Sequence, residues 1–171
     1  KIQDGCNKFC TYCIIPYARG GIRSCNPQDV ITQAQQLVDN GFLEIVLTGI
    51  HTAGYGTDLE DYSFYQLLKD LVEKVKGLKR LRISSIEITE INDRVLKVFE
   101  NSKVLVDHMH IPLQAGSNDI LKLMNRKYDV NYFMDKISKI RSIRPFISIT
   151  TDVIVGFPNE TDELFNETVE T

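Results

Sequence analysis

The sequence predicts an α/β fold built on a parallel sheet. Short runs of β-branched residues alternate with longer segments of helical periodicity along all 171 residues. Successive strand–helix units are spaced by roughly 30–40 residues, as in βα repeats, and no hairpin signal separates them. A complete eight-fold barrel needs about 250 residues. Five units therefore predict either an open arc of a barrel or an open doubly wound sheet.

The predicted strands are apolar runs bounded by turn residues. The second run, FLEIVLTGI, is a buried strand, and the fourth, DHMHIPLQ, is less regular than the others. In chain order, the strands are expected at residues 1–3, 42–50, 80–88, 107–114 and 146–156.

The helices are predicted from apolar periodicity and from their start and stop signals. The first begins at Asn26, a capping residue, has Pro27 at its first position and ends at Gly41. Gly77 ends the second helix in the same way. In chain order, the helical segments are expected at residues 26–41, 63–77, 91–102, 117–125, 130–143 and 161–171.

Composition restricts the class of protein. Apolar residues make up 43% and charged residues 25%, as in folded soluble domains. No apolar run approaches the roughly 20 residues that span a bilayer, and no signal peptide is visible, so we expect a cytoplasmic protein. The net charge of −3 gives no global attraction to nucleic acid. The chain starts at Lys1 and stops within a helix at Thr171, so we expect a piece of a larger protein.

Polar and glycine-rich loops follow the predicted strands at one end of the sheet. Because reactive residues of such folds lie at the carboxyl ends of the strands, we expect a single site there. The stretches concerned are the cysteine loop, TGIHTAGYG, SSIE, PLQAGS and GFPNE.

Three of the four cysteines lie in the first loop. Cys6, Cys10 and Cys13 have the spacing C-x3-C-x2-C. A disulfide would leave one of these thiols over. Zinc usually takes four ligands, so Cys25 or a distant histidine would have to complete its site. Three thiolates on one short loop suit a cubic iron–sulfur cluster in which one iron has no protein ligand and binds a substrate or cofactor.

The loop resembles the signature of radical S-adenosylmethionine (SAM) enzymes, because Tyr12 places an aromatic residue before the last cysteine. The segments GCNKFCTYCIIPYARG, PLQAGSNDILKLMNRKY and TTDVIVGFPNETDELF are similar to the methylthiotransferase family, which modifies tRNA or a ribosomal protein. VLTGIHTAGYGTDL is most similar to the branch that acts on N6-threonylcarbamoyladenosine. The resemblance covers essentially the whole chain.

The resemblance implies the fold and the domain organisation. The fold would be a partial, open TIM barrel of the radical SAM type, with about five of its six βα units present. Residues 1–171 would form the catalytic core. An N-terminal domain with a second [4Fe-4S] cluster and a C-terminal RNA-binding domain would lie outside this chain.

The resemblance also implies the reaction. A [4Fe-4S] cluster on Cys6, Cys10 and Cys13 would bind SAM, and SAM cleavage would give a 5′-deoxyadenosyl radical. A methylthio group would then be added to C2 of N6-threonylcarbamoyladenosine at position 37 of tRNA, next to the anticodon. The electron donor would be a flavodoxin or ferredoxin, and neither DNA nor a membrane would be a partner. Only Cys25 remains for the second cluster, so this chain alone would cleave SAM without thiolating tRNA.

Other functions stay open at this point. The substrate could belong to another branch, either isopentenyladenosine in tRNA or a ribosomal protein. A zinc-stabilised binding module and an electron-transfer domain whose cluster has four protein ligands are the remaining alternatives.

The resemblance assigns cofactor contacts to residues in five loops. Tyr12 would lie beside the adenine of SAM, and backbone acceptors around Gly49 would face the methionine ammonium. Glu87 would bind the ribose or the ammonium, and Arg126 the carboxylate. The expected cofactor-binding residues are Tyr12, Thr48, Gly49, Ile50, Ser85, Glu87, Gln114, Ser117, Arg126, Ile154, Gly156 and Phe157.

Two positions depart from the family pattern. Asn159 stands where glycine is usual, and Cys25 where arginine is common. Asn tolerates left-handed backbone geometry, so we expect the turn at Asn159 to persist. Cys25 is expected to be a free thiol, and His51 to be a loop residue near the substrate.

Overall fold

The computed structural model describes all 171 residues and contains seven α-helices and six short strands. Two 3₁₀ turns, Thr52–Gly54 and Ile88–Glu90, follow the second and third predicted strands. The strands are β1 Gln3–Asp4, β2 Arg23–Ser24, β3 Glu44–Leu47, β4 Arg80–Ile83, β5 His108–His110 and β6 Ser148–Thr150. The helices are α1 Ile15–Arg19, α2 Pro27–Asp39, α3 Phe64–Lys74, α4 Asp93–Asn101, α5 Asn118–Leu123, α6 Val130–Ile143 and α7 Asp162–Glu170.

The strands form an open parallel arc. β3 pairs with β4, with Glu44 opposite Arg80, and β5 pairs with β6, with His108 opposite Ser148. A few hydrogen bonds join these pairs to their neighbours, including two between Leu81 and the segment 104–106 that precedes β5. The Ile2 N–H donates to Thr48 O over 2.8 Å. The Ile86 N–H donates to His110 O over 3.0 Å, which connects the end of β4 to β5. The prediction of an open parallel arc is confirmed.

The first strand departs from the prediction. β1 pairs antiparallel with β2, with Gln3 opposite Ser24 and Asp4 opposite Arg23, so the chain returns beside itself after the cysteine loop. The sequence predicts parallel strands with no hairpin signal, and this antiparallel pair at the start of the chain was not predicted. The connection is a long loop that contains α1, rather than a tight turn, and so it carries no hairpin signature. α1 was not predicted either, because it is only five residues long.

The helices form where the sequence predicts them. Asn26 caps α2 by accepting a 2.9 Å hydrogen bond from Gln28 N, and Pro27 occupies the first helical position. Asp129 caps α6 in the same way, accepting from Tyr132 N over 2.7 Å. None of the helices is both long enough and apolar enough to cross a bilayer.

The hydrophobic core lies between the outer face of the arc and the helices. Leu81, Met109 and Ile111 project outward from the strands and are fully buried. Because side chains alternate along a strand, the opposite face of the same strands points into the arc. That inner face and the carboxyl ends of the strands carry the candidate site.

Candidate active site

A cavity of about 200 Å³ lies at the carboxyl ends of the strands. The cysteine loop forms one wall, and the loops after β3, β4 and β5 form the rest. Its lining residues are Cys6, Lys8, Cys10, Tyr12, Cys13, Ile50, His51, Thr52, Ser85, Glu87, Pro112, Gln114 and Arg126. The expectation that the loops meet in one site is therefore confirmed for four of the five loops, all but GFPNE, and all three clustered cysteines face the cavity.

Gln3 holds the start of the cysteine loop in place. Its side chain is buried and donates 2.6 Å hydrogen bonds to Asp4 O and Gly5 O, and it accepts a 2.9 Å bond from His51 N. The loop crosses its own return strand at Gly5, which has φ +74°, and a Cβ atom there would lie 1.9 Å from Gly21 O. Only glycine fits this crossing. Gln3 was not predicted, because nothing in the polar stretch KIQDG distinguishes it from its neighbours.

The thiols lie beside hydrogen-bond donors. The Lys8 N–H donates to Cys6 Sγ over 3.4 Å, and Arg126 Nη1 donates to Cys10 Sγ over 3.2 Å. Burial acts to raise the pKa of Cys6, but the neighbouring His51 and the hydrogen bond from the Lys8 N–H outweigh it and hold the pKa below its usual value. Such surroundings favour the thiolate, which is the form that binds metals.

This donor set fits an iron–sulfur cluster. No group of three or more His, Cys, Asp or Glu side chains is arranged to hold a single metal ion. In a cubic cluster each thiolate binds a different iron atom, so its ligands do not have to converge on one point. Three thiol groups around one cavity meet that requirement.

Glu87 and Arg126 form an ion pair inside the cavity. Arg126 Nη2 lies 3.3 Å from Glu87 Oε2, and the two side chains are only 7% and 11% exposed. Lys8 Nζ contacts the other Glu87 oxygen over 3.3 Å. Burial alone would lower the pKa of Arg126, but Glu87 and neighbouring groups raise it, so the guanidinium stays charged. The structure thus brings together two predicted cofactor-binding residues of opposite charge.

His51, Glu90 and Lys8 form a second charged group beside Cys6. His51 Nε2 lies 3.4 Å from Glu90 Oε1, and Lys8 Nζ lies 2.7 Å from the same oxygen. Burial opposes charge on both partners. Even so, contacts with Cys6 and Glu90 raise the pKa of His51 to about 9, and contacts with His51 and Lys8 lower that of Glu90 to about 2. Glu90 was not predicted, because its link to the cysteine loop is made only by folding.

The remaining predicted residues lie outside the cavity. Thr48 is exposed, and its carbonyl accepts from Ile2. A Cβ atom on Gly49 would lie 2.9 Å from Gln3 Oε1, so a larger residue here would have to displace the Gln3 side chain. Ser117 is fully buried and its hydroxyl has no partner. That these residues bind the cofactor stays a prediction.

Ile154, Gly156 and Phe157 line a groove next to the cavity. Tyr12 lines both, and its ring meets that of Phe157 edge to face at 6.5 Å between centroids. The turn that follows has Asn159 at φ +70°, the left-handed conformation that a glycine would adopt. The turn at Asn159 therefore persists, as expected.

The comparisons with known proteins cover the whole chain. The Radical SAM superfamily matches residues 1–171. The chain is 57% identical over 168 residues to the threonylcarbamoyladenosine tRNA methylthiotransferase MtaB of Bacillus subtilis, which is 98% of this chain and 37% of that protein. It is 45% identical over 171 residues to the tRNA-2-methylthio-N(6)-dimethylallyladenosine synthase of Lachnoclostridium phytofermentans, 99% of this chain and 37% of that protein. The chain thus spans little more than a third of these relatives.

Solved structures support the fold. The cobalamin-dependent radical enzyme OxsB, with aqua-cobalamin and S-adenosylmethionine bound, matches with a TM-score of 0.78 at 14% identity, over 99% of this chain and 25% of that one. The methyltransferase TsrM from Kitasatospora setae, with cobalamin and a [4Fe-4S] cluster bound, matches with a TM-score of 0.77 at 16% identity, over 99% and 33%. At such identities the likeness shows the fold alone.

Proposed function

The chain belongs to the radical SAM superfamily, and from that premise we propose that it is the catalytic core of a tRNA methylthiotransferase. The reaction is the addition of a methylthio group to C2 of N6-threonylcarbamoyladenosine at position 37, next to the anticodon. The observation that carries this proposal is the placement of Cys6, Cys10 and Cys13 around one cavity that also contains the Glu87–Arg126 ion pair.

Different residues of the cavity bind the two cofactors, the [4Fe-4S] cluster and SAM. Cys6, Cys10 and Cys13 hold a [4Fe-4S] cluster through their thiolates. When bound, the cluster supplies an electron to SAM and so gives access to a 5′-deoxyadenosyl radical. Arg126 and Glu87 suit the carboxylate and ammonium of the SAM methionine, because they present opposite charges side by side.

The aromatic residues beside the cavity suit the adenine of SAM. Tyr12 and Phe157 meet edge to face where the cavity and the neighbouring groove adjoin. A planar ring gains from contact with such side chains. Burial raises the pKa of the Tyr12 phenol, so the ring stays uncharged at neutral pH.

The branch is supported by sequence identity. The relative named for threonylcarbamoyladenosine is 57% identical, whereas the one named for dimethylallyladenosine is 45% identical. A second relative named MtaB, from Aquifex aeolicus, is also 45% identical, so the higher value alone carries the choice. We take threonylcarbamoyladenosine as the substrate and dimethylallyladenosine as the alternative.

The whole enzyme needs parts that this chain does not supply. With three cysteines on the first cluster, Cys25 alone cannot hold a second. We propose that a second [4Fe-4S] cluster, the sulfur source, is held by an N-terminal domain and that a C-terminal domain binds RNA. A flavodoxin or ferredoxin would provide the electron.

The test uses the full-length enzyme that contains this chain, reconstituted without oxygen. It is incubated with SAM, a reductant and either of two tRNAs, one with threonylcarbamoyladenosine and one with dimethylallyladenosine at position 37. Mass spectrometry of the nucleosides should show the methylthio product mainly from the first tRNA. Product from the second tRNA alone would show that the enzyme acts on dimethylallyladenosine, the alternative substrate. No product from either, with SAM cleaved normally, would contradict the proposed function.

A further inference from the structure

The inner face of the arc carries a chain of polar side chains beside the cavity. Pro112 and Gln114 line the cavity, and alternation along the β5 segment places His108 and His110 on the same face. Thr150, on β6, stands opposite His110 in the parallel register. The cluster and SAM chemistry described above makes no use of His108, His110 or Thr150.

Hydrogen bonds link four residues of this face in one direction. Asp152 can only accept when ionised, so His110 donates from Nε2 to Asp152 Oδ2 over 3.1 Å. The other nitrogen of a neutral imidazole is an acceptor, so the Thr150 hydroxyl donates to His110 Nδ1 over 2.9 Å. Thr150 Oγ1 in turn accepts from His108 Nε2 over 3.1 Å. We call these four residues the lumen chain.

The lumen chain orients Asp152 and leaves half of its carboxylate free. Its Oδ2 is occupied by His110, and its Oδ1 makes no hydrogen bond within the protein. The Asp152 side chain is 66% exposed, so Oδ1 is open to a ligand. Burial, followed by the charge of Arg82, holds the pKa of His108 low. His108 therefore stays neutral and adds no cation to compete for Asp152.

Such a face differs from an ordinary barrel interior. Barrel interiors are filled mainly by branched apolar side chains, and a polar group there costs stability unless it is paired. Here the neighbouring inner positions are also polar, and Arg82 pairs with Glu44 at 3.0 Å. Pairing within the lumen chain offsets that cost for its buried atoms, except at His108 Nδ1, which has no partner. Asp152 Oδ1 is exposed and carries no such cost. The Gln114 N–H donates to Asp152 O over 2.9 Å, and Gln114 lines the cavity, so the oriented carboxylate stands at the edge of the cavity where a ligand can reach it.

We propose that Asp152 recognises the target base by accepting a hydrogen bond from the N–H group at N6 of the adenine. The inference rests on the proposed function and deepens it. Threonylcarbamoyladenosine and dimethylallyladenosine both keep one N–H at N6. A base without that group leaves a carboxylate oxygen without its partner, and sites built on such bonds discriminate strongly. His110 contacts Asp152, and Thr150 contacts His110, so both act as positioning residues and neither touches the base.

The experiment removes the hydrogen bond from both sides. The full-length enzyme is assayed on anticodon stem-loops in which N6 of the target base carries either its natural hydrogen or an added methyl group. With the wild-type enzyme we expect kcat/KM to fall roughly 10- to 100-fold on the methylated substrate, the usual loss for a bond to a charged acceptor. In Asp152→Ala the difference between substrates should shrink to about twofold, with the loss on the natural substrate mainly in KM.

Matched variants separate recognition from structure. Thr150→Val should reduce the preference and Thr150→Ser should restore it, because serine keeps the hydroxyl that positions His110. Asp135→Ala, an exposed position on the outer helix α6, should retain the full preference. If Asp152→Ala does not fold, Asp152→Asn takes its place. This variant removes the charge of the carboxylate, and its preference between the two substrates is measured in the same way.

The outcomes are distinct. A preference that persists unchanged in the Asp152 variant would show that the added methyl group is excluded by size, and it would overturn this inference while leaving the proposed function intact. A preference lost equally in Asp135→Ala would also overturn it. Absence of methylthio product with either substrate and every variant would defeat the proposed function and this inference with it.

Discussion

The two faces of the same strands differ in every respect that matters for function. Outward, Leu81, Met109 and Ile111 are fully buried in the hydrophobic core between the strands and the helices. Inward, His110 and Thr150 carry hydrogen-bonding groups beside the cavity. The difference teaches that one short strand can contribute to stability through one face and to chemistry through the other. Substitutions on the two faces should therefore separate folding from activity.

The largest effect on activity is expected for the cysteines that line the cavity at the carboxyl ends of the strands. Cys10→Ala removes one of three thiolates, so the cluster should not assemble, and SAM cleavage should fall by more than about 1000-fold. Iron and sulfide content together with 5′-deoxyadenosine production provide the measurement. Cys25 is exposed and lies outside the cavity, so Cys25→Ala is the matched control. It should keep its iron and sulfide content and its production of 5′-deoxyadenosine. Equal loss in both variants would mean that the cysteines act through folding.

On the outer face, the effect should be on stability. Ile111 is fully buried, so Ile111→Ala should cost about 2–5 kcal/mol of unfolding free energy through lost burial and a cavity. Urea denaturation provides the measurement. The SAM affinity of the folded variant should change by less than about twofold, because the side chain points away from the cavity. A large change in affinity with little change in stability would break the separation of the two faces.

A conservative substitution of Arg126, which lines the cavity, should have a smaller effect, on SAM affinity alone. Arg126→Lys keeps the charge but cannot contact Glu87, Cys10 and Tyr128 at once, as the guanidinium does. We expect SAM to bind roughly tenfold more weakly, measured by equilibrium titration, since one forked contact to a carboxylate is lost. Arg141→Lys, on the exposed surface of α6, should bind SAM normally. Normal affinity in Arg126→Lys would exclude a forked contact.

The charge group beside Cys6 predicts a pH dependence. The pKa of Glu90 is lowered to about 2 from an unfolded value of about 4.3. A lowered carboxyl pKa adds stability above the unfolded value, and this gain is lost as pH falls through about 2. The stability difference between wild type and Glu90→Gln, measured by thermal unfolding before cluster reconstitution, should be largest at about pH 5 to 6. It should shrink toward pH 2 as Glu90 is protonated, and it should also shrink as pH rises from about 6.5 through 9, because His51 then loses its proton. A difference that does not vary with pH would contradict the ion pairs.

The smallest effect is expected in the turn at Asn159. Glycine would relieve the left-handed backbone at this position but would gain more freedom in the unfolded chain. These effects oppose each other, so Asn159→Gly should change the unfolding free energy by less than about 1 kcal/mol. Differential scanning calorimetry would measure it. A larger loss would indicate that the Asn159 side chain makes a contact essential to the groove.

The sequence predicts the parts of the molecule that depend on local pattern. The helix start at Asn26 and Pro27 is found as expected, because a cap and a fixed φ angle act within one turn. The convergence of the loops on one cavity also follows from the order of parallel strands.

The rest depends on contacts between distant residues, which local pattern does not encode. The antiparallel return of β2 beside β1 has no turn signature. The role of Gln3 appears only when His51 is folded against it, and Glu90 joins the site through Lys8. The pairing of Glu87 with Arg126 joins residues assigned separately from the sequence.

The central claim is that Cys6, Cys10 and Cys13 hold a cluster whose remaining iron binds SAM. The most direct measurement is electron paramagnetic resonance of the reduced, anaerobically reconstituted full-length enzyme during titration with SAM. To isolate this centre, the cysteines of the proposed second cluster are replaced. The account predicts a cluster signal that changes on adding SAM and is absent in Cys10→Ala. A signal that stays the same at saturating SAM, or material without iron, would contradict it.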